Sequence, residues 1–502
     1  MKVRTRIAPS PTGFVHIGTI HNALFAHALA KKYNGQFILR IEDTDQRRYV
    51  KGANEEVYKM LDEFGLTPDE GPKQGGPFAP YIQSERLKLG IYKNAVEDLI
   101  KNGHAYYCFL SEKELKEIKG GQIAKKKGGF RSPYRDSSEK EALKRLEKGE
   151  KYVIRLKVPN NEEIKVNDAI LGEIKWNSND IDDQVLIKSD GFPTYQLAVV
   201  VDDHIMQISH ITRAYEWLPS TPKQILIYKY LGWDMPIFAH SSLVLDPHGG
   251  KLSKRKGTVS ARQFLQEGYL VDAILNFLML LGWSAPIDRK PGEKEREIFS
   301  HEEFIQLYEL EDRHKHNAIF DRNKLIWFNQ QYIKMKPVAE LAQIFIKWLK
   351  NYSIEKSFLT EIEQDQKNNN LEKKLVLVNE RAKTLIDIYN MIKPFYETPK
   401  EINLEIKQLT NIRKKIVQTT KRIIALITTF DENSDKWSKE KWVDGMRVIS
   451  NELNVKFRDV FMVERVALWG NPVSPPLFEC SQILGKEKVL IRLKRIALSS
   501  RH

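Results

Sequence analysis

The sequence predicts an α/β domain built on a parallel sheet, interrupted by a basic insert and followed by an all-helical half. Three observations predict this. A strand, loop, helix, strand succession opens the chain: "KVRTRIA", "PSPTGFVHIG", a helical pattern running to Asn34 and Gly35, then "QFILRI". From about residue 100 to 190 the chain turns strongly basic and glycine-broken. Beyond about residue 325 nearly every segment carries helical periodicity and strand signals are few.

Each element follows from local chemistry. "KVRTRIA" alternates apolar and basic side chains as a short strand does, and the prolines and glycine of "PSPTG" end it. From Thr19, the residues Ile20, Ala23, Leu24, His27, Ala28 and Ala30 fall near helical spacing, and Asn34 with Gly35 offers a stop. Parallel pairing of the flanking strands puts the loop and the helix N-terminus at the carboxyl edge of the sheet, where ligands bind in such folds. After the insert the strand-helix rhythm returns with "YQLAVVVDDH" and "IMQISHITRA". "STPKQILIYKYLGW" then has a Ser or Thr cap, Pro222 in a first helical turn and Gly232 as a stop. Segments such as "LAQIFIKWLKNY" and "RKKIVQTTKRIIALITTF" make up the helical half, with no period that would indicate a solenoid.

Composition narrows the function classes. A chain of 502 residues exceeds what one core organises and predicts three or more domains. Apolar residues at 41% and charged residues at 29% match a globular chain and exclude a disordered one. A formal charge of +14 points to a polyanionic partner, nucleic acid before a mere solubility device. Two distant cysteines, Cys108 and Cys480, exclude a disulfide framework and suit a reducing compartment. "MKVRTRIAPS" has no apolar core segment and no run is long enough to span a bilayer, so the expectation is a cytoplasmic protein with no membrane partner.

Two loops carry the chemistry. A helix N-terminus offers unpaired N–H groups and partial positive charge to an anion, and Gly13 and Gly18 leave room for one to approach the backbone beside His16. Taken alone, this loop fits equally a tight turn with a solvated or capping histidine, since it is neither a Walker loop nor a dinucleotide fingerprint. "KLSKRKG", Lys251 to Gly257, packs four cations behind the turn-rich "DPHGG" and could fold over a triphosphate. Alone, it reads first as a plain basic surface loop.

Together the two are more telling. "HIGT" and "KLSKR" resemble the two signature sequences of class I aminoacyl-tRNA synthetases. More narrowly, "RIAPSPTGFVHIGT", "RIEDTD", "GFPTYQLAVVVDDH", "EWLPSTPKQ" and "KLSKRKG", in that order, resemble the bacterial-type glutamyl-tRNA synthetase family, over most of the chain and more weakly after about residue 330. The resemblance implies a Rossmann-like catalytic domain at 1–100 and 191–260 with an inserted α+β acceptor-binding domain at 101–190. A stem-contact region at 261–325 and an all-helical anticodon-binding region at 326–502 would follow. It also implies the reaction: ATP and L-glutamate give glutamyl-adenylate and pyrophosphate, and the glutamyl group passes to the terminal adenosine of tRNA(Glu).

The family pattern maps onto individual residues. His16, Lys251, Ser253 and Lys254 are implied to be catalytic, His16 on the phosphates and Lys254 on charge building at the α-phosphate and pyrophosphate. Gly18, Glu216 and Trp217 join His16 and Lys254 in binding ATP, whose Mg²⁺ needs few protein ligands. Arg6 and Arg213 are implied for the glutamate carboxylates, Ser10 and Glu42 for the ammonium side, Tyr195 for a wall with a hydroxyl, and Ala8 completes the pocket. The plainer alternatives are a strand-edge charge for Arg6 and a structural ion pair for Glu42.

The chain also departs from the pattern of the family it resembles. Some members carry an amide at the position of Val199, which cannot hydrogen-bond, and Tyr215 replaces a commonly acidic residue. Some bind zinc in the insert, but "AYYCFLSEKE" keeps only Cys108, so no structural zinc is expected. His314 and His316 of "RHKH" read as a solvated or phosphate-facing surface before a metal site. "LVNERAKTL", Leu377 to Leu385, resembles the helix that inspects the third anticodon base, with Arg381 as its reader; the alternative for Arg381 is a helix-surface ion pair. The rivals fit less well. A glutaminyl enzyme opens on Pro-Glu-Pro-Asn-Gly, a truncated relative lacks the helical half, and a small-molecule adenylyltransferase needs neither insert nor helical half.

Overall fold

The computed structural model describes residues 2–124, 128–250, 252, 259–286, 296–352, 356–431 and 437–498. The chain divides into two compact units, Met1–Phe264 with Ile274–Arg322 and Leu265–Ala273 with Asn323–His502.

The first unit is built on parallel pairs. β1 (Arg4–Ile7) pairs with β2 (Gln36–Leu39), Arg6 opposite Ile38, and α1 (Ile17–Lys32) is the crossover between them. α1 is buried along most of its length, including Ile17, Ile20, Ala23, Leu24, Phe25, Ala26 and Ala28, as its nearly continuous apolar sequence requires. Lys31 and Lys32 favour its negative C-terminal end, and Asn34 then takes a positive φ of 49°. Gly35 is obligatory there, because a Cβ would collide with the Val3 carbonyl.

The antiparallel insert follows. β3 (Ala105–Cys108), β4 (Val153–Leu156) and β7 (Val185–Ile187) form a sheet in the order β3-β4-β7, with a hairpin of β5 (Glu163–Asp168) and β6 (Gly172–Asn177) beside it. The alternating burial of β5 matches its alternating sequence. Asp183 pins the sheet, accepting from Arg135 at 2.7 Å and Tyr106 at 2.9 Å. The turn of the hairpin docks on the parallel core through Ala169 N–H to the Phe238 carbonyl at 2.8 Å.

The parallel core resumes with α2 (Tyr195–Ile205), β8 (His210–Ala214), the helix Thr221–Leu231 and β9 (Ile237–Ser241) parallel to β8. Ser209 N–H to the Arg4 carbonyl, 2.9 Å, ties the two parallel pairs side by side. Three consecutive valines, Val199 to Val201, favour a strand locally, but α2 buries all three and tertiary packing prevails. The Ser or Thr cap expected before Pro222 is not used as one. A 3₁₀ turn, Tyr215–Ser220, runs directly into the helix, so Ser220 is already helical and its Oγ accepts from Gln196 instead. Pro222 in the first turn and Gly232 at φ 65° stand as expected.

β10 (Val244–Leu245) pairs in parallel with β11 (Ala318–Ile319). The second unit is helical: from residue 323 on, the described residues hold no strand, and helices such as Val338–Tyr352, Phe457–Trp469 and Lys486–Leu498 supply its core. Arg492, wholly buried, staples three segments by donating to the carbonyls of Leu468 at 2.8 Å, Pro394 at 2.6 Å and Glu397 at 3.2 Å. Among the described residues no helix is long and apolar enough to cross a membrane.

Candidate active site

The opening loop delivers a histidine to a helix end. His16 is the N-cap of α1, at φ −78° and ψ 144°, and its Nδ1 accepts from Gly18 N–H at 2.9 Å, the part usually played by Ser or Asp. A neutral ring accepting at Nδ1 carries its proton on Nε2. A Cβ at Gly18 would lie 3.1 Å from that Nδ1, so glycine lets the ring lie close over the first turn. The helix therefore starts at Ile17, ahead of the expected Thr19, because the imidazole itself supplies the cap.

The segment that follows the second signature loop meets the first. Ile17 N–H donates to the Val259 carbonyl at 2.8 Å, Ala261 N–H donates to the Val15 carbonyl at 3.0 Å, and His16 bridges Ser260. Glu56 holds Arg262 through both carboxylate oxygens, Nε to Oε1 at 2.7 Å. Leu252 borders the same cavity as His16. Lys251, Ser253 and Lys254 lie outside the described residues.

A buried charge cluster forms the floor. Arg6 Nε approaches Asp203 Oδ1 at 3.2 Å, Arg40 Nη1 reaches the same oxygen at 2.7 Å, and Arg40 Nη2 reaches Glu42 Oε1 at 2.8 Å. All four are nearly excluded from solvent. Burial opposes the Arg40 charge, but Asp203, Glu42 and Asp202 outweigh it and raise its pKa well above the usual value. Burial raises the Glu42 pKa, against the pull of Arg40 and Arg6. Burial likewise opposes the Asp203 charge, yet Arg40 and Arg6 leave its pKa below the usual one.

Arg213 is placed differently. It is 5% exposed, and its hydrogen-bond partners among the described residues are the neutral side chains of His240, Tyr195 and Thr221. Burial lowers its pKa; Tyr195 opposes this, and the neighbouring charge of Arg6 lowers it further. Asp203, which pairs with Arg6, offsets part of this. Of the two guanidiniums at the wall it is therefore Arg213 that has no carboxylate of its own to bond among the described residues and is open to an anionic ligand.

The cavity they border measures about 620 Å³. Arg6, Ala8, Ser10, His16, Gly18, Glu42, Tyr195, Arg213, Glu216 and Trp217, each singled out from sequence, all line it. The rings of Tyr195 and Trp217 lie 4.5 Å apart, tilted by 36°, and make one wall. Val199 packs into the core away from the lining, and Tyr215 is solvent-exposed outside it. Sequence reasoning missed Arg40, Asp203, Asp168 and His240. An acid in the apolar "AVVVDD" and a histidine in the apolar strand "IFAHS" are the signals that mark them.

Elsewhere, His314 is exposed and bonds Ser284 Oγ at 3.1 Å, and His316 is exposed. Cys108 Sγ lies 3.3 Å from Ser132 Oγ. Arg381 requires a correction. It sits in the second unit, in the turn between the helices Asn370–Val378 and Leu385–Tyr396, because the Thr384 and Asp387 capping box starts a new helix just after it. It lies on no helix, and its Nη1 donates to the Ser474 carbonyl at 2.8 Å, with no carboxylate bound to it among the described residues.

The chain matches the family model "tRNA synthetases class I (E and Q), catalytic domain" over residues 2–327 and the model "Anticodon binding domain" over 338–497. It is 40% identical to the glutamate–tRNA ligase of Finegoldia magna, across 98% of this chain and 99% of that one. It is also 40% identical to the glutamate–tRNA ligase of Borreliella burgdorferi, across 98% of both. A crystal structure of a glutamate tRNA ligase from Elizabethkingia meningosepticum in complex with its amino acid superposes with a TM-score of 0.81 at 34% identity, covering all of both chains. A class I catalytic fold around this cavity, a helical C-terminal half and full-length relatives of one kind agree: the chain belongs to the glutamate–tRNA ligase family of class I aminoacyl-tRNA synthetases.

Proposed function

We propose that this chain activates L-glutamate with MgATP and esterifies the product to the 3′-terminal adenosine of tRNA(Glu). The observation that carries the reading is Arg213, a buried guanidinium at the cavity wall whose partners are neutral side chains. It takes one glutamate carboxylate, Arg6 takes part in holding the other, and Glu42 with Ser10 receives the ammonium. Ala8 and Tyr195 close the pocket. The α-carboxylate oxygen attacks the α-phosphorus; the new C–O–P linkage forms as the bond to pyrophosphate breaks. No side-chain nucleophile is needed, so the protein contributes positioning and charge stabilisation.

His16 and Gly18 hold phosphates at the N-terminus of α1, Glu216 and Trp217 border the nucleotide, and Lys251, Ser253 and Lys254 close over it, Lys254 on the developing charge. Mg²⁺ arrives with ATP on phosphate oxygens, and no protein ligand is assigned to it. The adenosine hydroxyl of tRNA then attacks the acyl carbon and AMP leaves. Residues 1–100 and 191–260 form the catalytic domain, 101–190 grip the acceptor end, 261–325 contact the stem and 326–502 read the anticodon, with Arg381 at its third base. The work is done in the cytoplasm. ATP–pyrophosphate exchange tests the reading: exchange requires L-glutamate and cognate tRNA, and exchange driven by another amino acid overturns it.

A further inference from the structure

Three side chains that do not line the cavity fix the guanidinium that does. His240 on β9 stands directly opposite Arg213 on β8 in the parallel register and is wholly buried. Its Nδ1 lies 2.6 Å from Asp168 Oδ2. Asp168 Oδ1 accepts from the Ile170 and Leu171 N–H groups at 3.0 and 2.9 Å, and the His240 N–H lies 3.1 Å from Oδ2. Every group around this carboxylate is a donor, so the His240 proton sits on Nδ1 and Nε2 presents a lone pair. Arg213 Nε donates to that lone pair at 2.9 Å, and Arg213 Nη2 donates to Thr221 Oγ1 at 2.9 Å. Burial keeps the His240 pKa below its usual value despite Asp168, so the ring remains an acceptor.

We propose that Asp168 and His240 are positioning residues for glutamate selection: they hold Arg213 by Nε, Thr221 holds it by Nη2, and Nη1, beside Tyr195, is left facing the substrate carboxylate. This rests on the reading of the cavity as a glutamate pocket. Asp168 belongs to the β5–β6 hairpin of the insert, docked on β9 through Ala169. The insert thus carries a support of the amino-acid pocket as well as any nucleic-acid surface of its own.

The test uses the full chain with three substitutions. In Asp168→Asn the amide oxygen must take the Oδ1 position, where two backbone N–H groups point. Its NH₂ then faces His240 Nδ1, drives the proton to Nε2 and sets two donors against each other at Arg213 Nε. His240→Leu removes the acceptor outright. His240→Gln keeps an oxygen for Arg213 and an NH₂ for Asp168. Asp168→Asn and His240→Leu are expected to raise the glutamate KM about 10- to 100-fold in tRNA-dependent pyrophosphate exchange, with the ATP KM changed less than about twofold. His240→Gln returns the glutamate KM to within about fivefold of the parent.

A glutamate KM unchanged in Asp168→Asn overturns the inference, as does a parallel shift of kcat and both KM values with no rescue by glutamine. If His240→Leu fails to fold, Asp168→Asn and His240→Gln decide. Failure of the unsubstituted chain to use glutamate overturns the functional reading instead, so the two failures are distinct.

Discussion

Replacing Arg213 with glutamine separates binding of the amino acid from binding of the nucleotide. Arg213 is buried, and its neutral partners leave its charge for the ligand. The variant leaves a substrate carboxylate buried without its cationic partner, a loss of about 3–5 kcal/mol when one member of a buried pair is removed. At about 1.4 kcal/mol per tenfold, kcat/KM for glutamate falls roughly a hundred- to several-thousand-fold. The ATP KM stays within about threefold, because the phosphates are assigned to His16 and the lysine loop and not to Arg213. Stability moves little: the variant loses hydrogen bonds to His240 and Thr221 but also sheds a buried charge that burial disfavours. Tm is therefore expected within about 3 °C of the parent. Pyrophosphate exchange with glutamate varied at saturating ATP and tRNA, then ATP varied at high glutamate, reads both constants. Unchanged glutamate saturation would refute the assignment of Arg213.

Three further outcomes follow from the same account. Lys254→Ala lowers adenylate formation about 100-fold or more while tRNA affinity by filter binding holds, and wild-type turnover would remove the lysine from its role. His21 and His27 are each held down to a pKa of about 3, mainly by burial, whereas the unfolded residue protonates near 6.5. The unfolded chain therefore binds the extra protons across that window. Each histidine contributes stability that is intact above pH 6.5 and is lost by about 1.4 kcal/mol per pH unit on acidification. His27→Leu should flatten the dependence of the urea midpoint between pH 6 and 5, and an unaltered slope would contradict it. Arg381→Gln narrows the preference for tRNA(Glu) over tRNA(Gln): a guanidinium has only donors, which suit the acceptors of cytosine and oppose the N–H groups of guanine. Comparable charging of both tRNAs by the unsubstituted chain would show that Arg381 does not discriminate.

The parts of this fold that were legible in the sequence are those decided locally. β1, the "PSPTG" loop, α1 and β2 are set by alternation, proline and helical spacing within a single crossover unit, and ten residues singled out there and downstream line one cavity. What was not legible depends on chain segments far apart. Asp203 looks like a stray acid in a valine-rich helix until Arg6 arrives from β1 and Arg40 from the residue just after β2. Asp168 looks like an ordinary strand-end residue of the insert until β9 brings His240 against it. Local signals also misled where two elements fuse or split. Ser220 has the chemistry of a cap, but the 3₁₀ turn before it leaves no open helix end, and the helix expected across Arg381 is broken by a capping box. Val199 faces the core because packing, not its place in the motif, orients that face of α2.

The central claim is a product, a glutamyl ester on the terminal adenosine of tRNA(Glu). The direct measurement incubates the full chain with MgATP and tRNA(Glu), offers L-glutamate or L-glutamine, and analyses the tRNA 3′ end for a base-labile aminoacyl ester. The account predicts glutamyl-tRNA(Glu) formed at the expense of ATP, with AMP and pyrophosphate released in equal amounts and no glutaminyl ester. A glutaminyl ester, or adenylate formed without any transfer to tRNA, would contradict it.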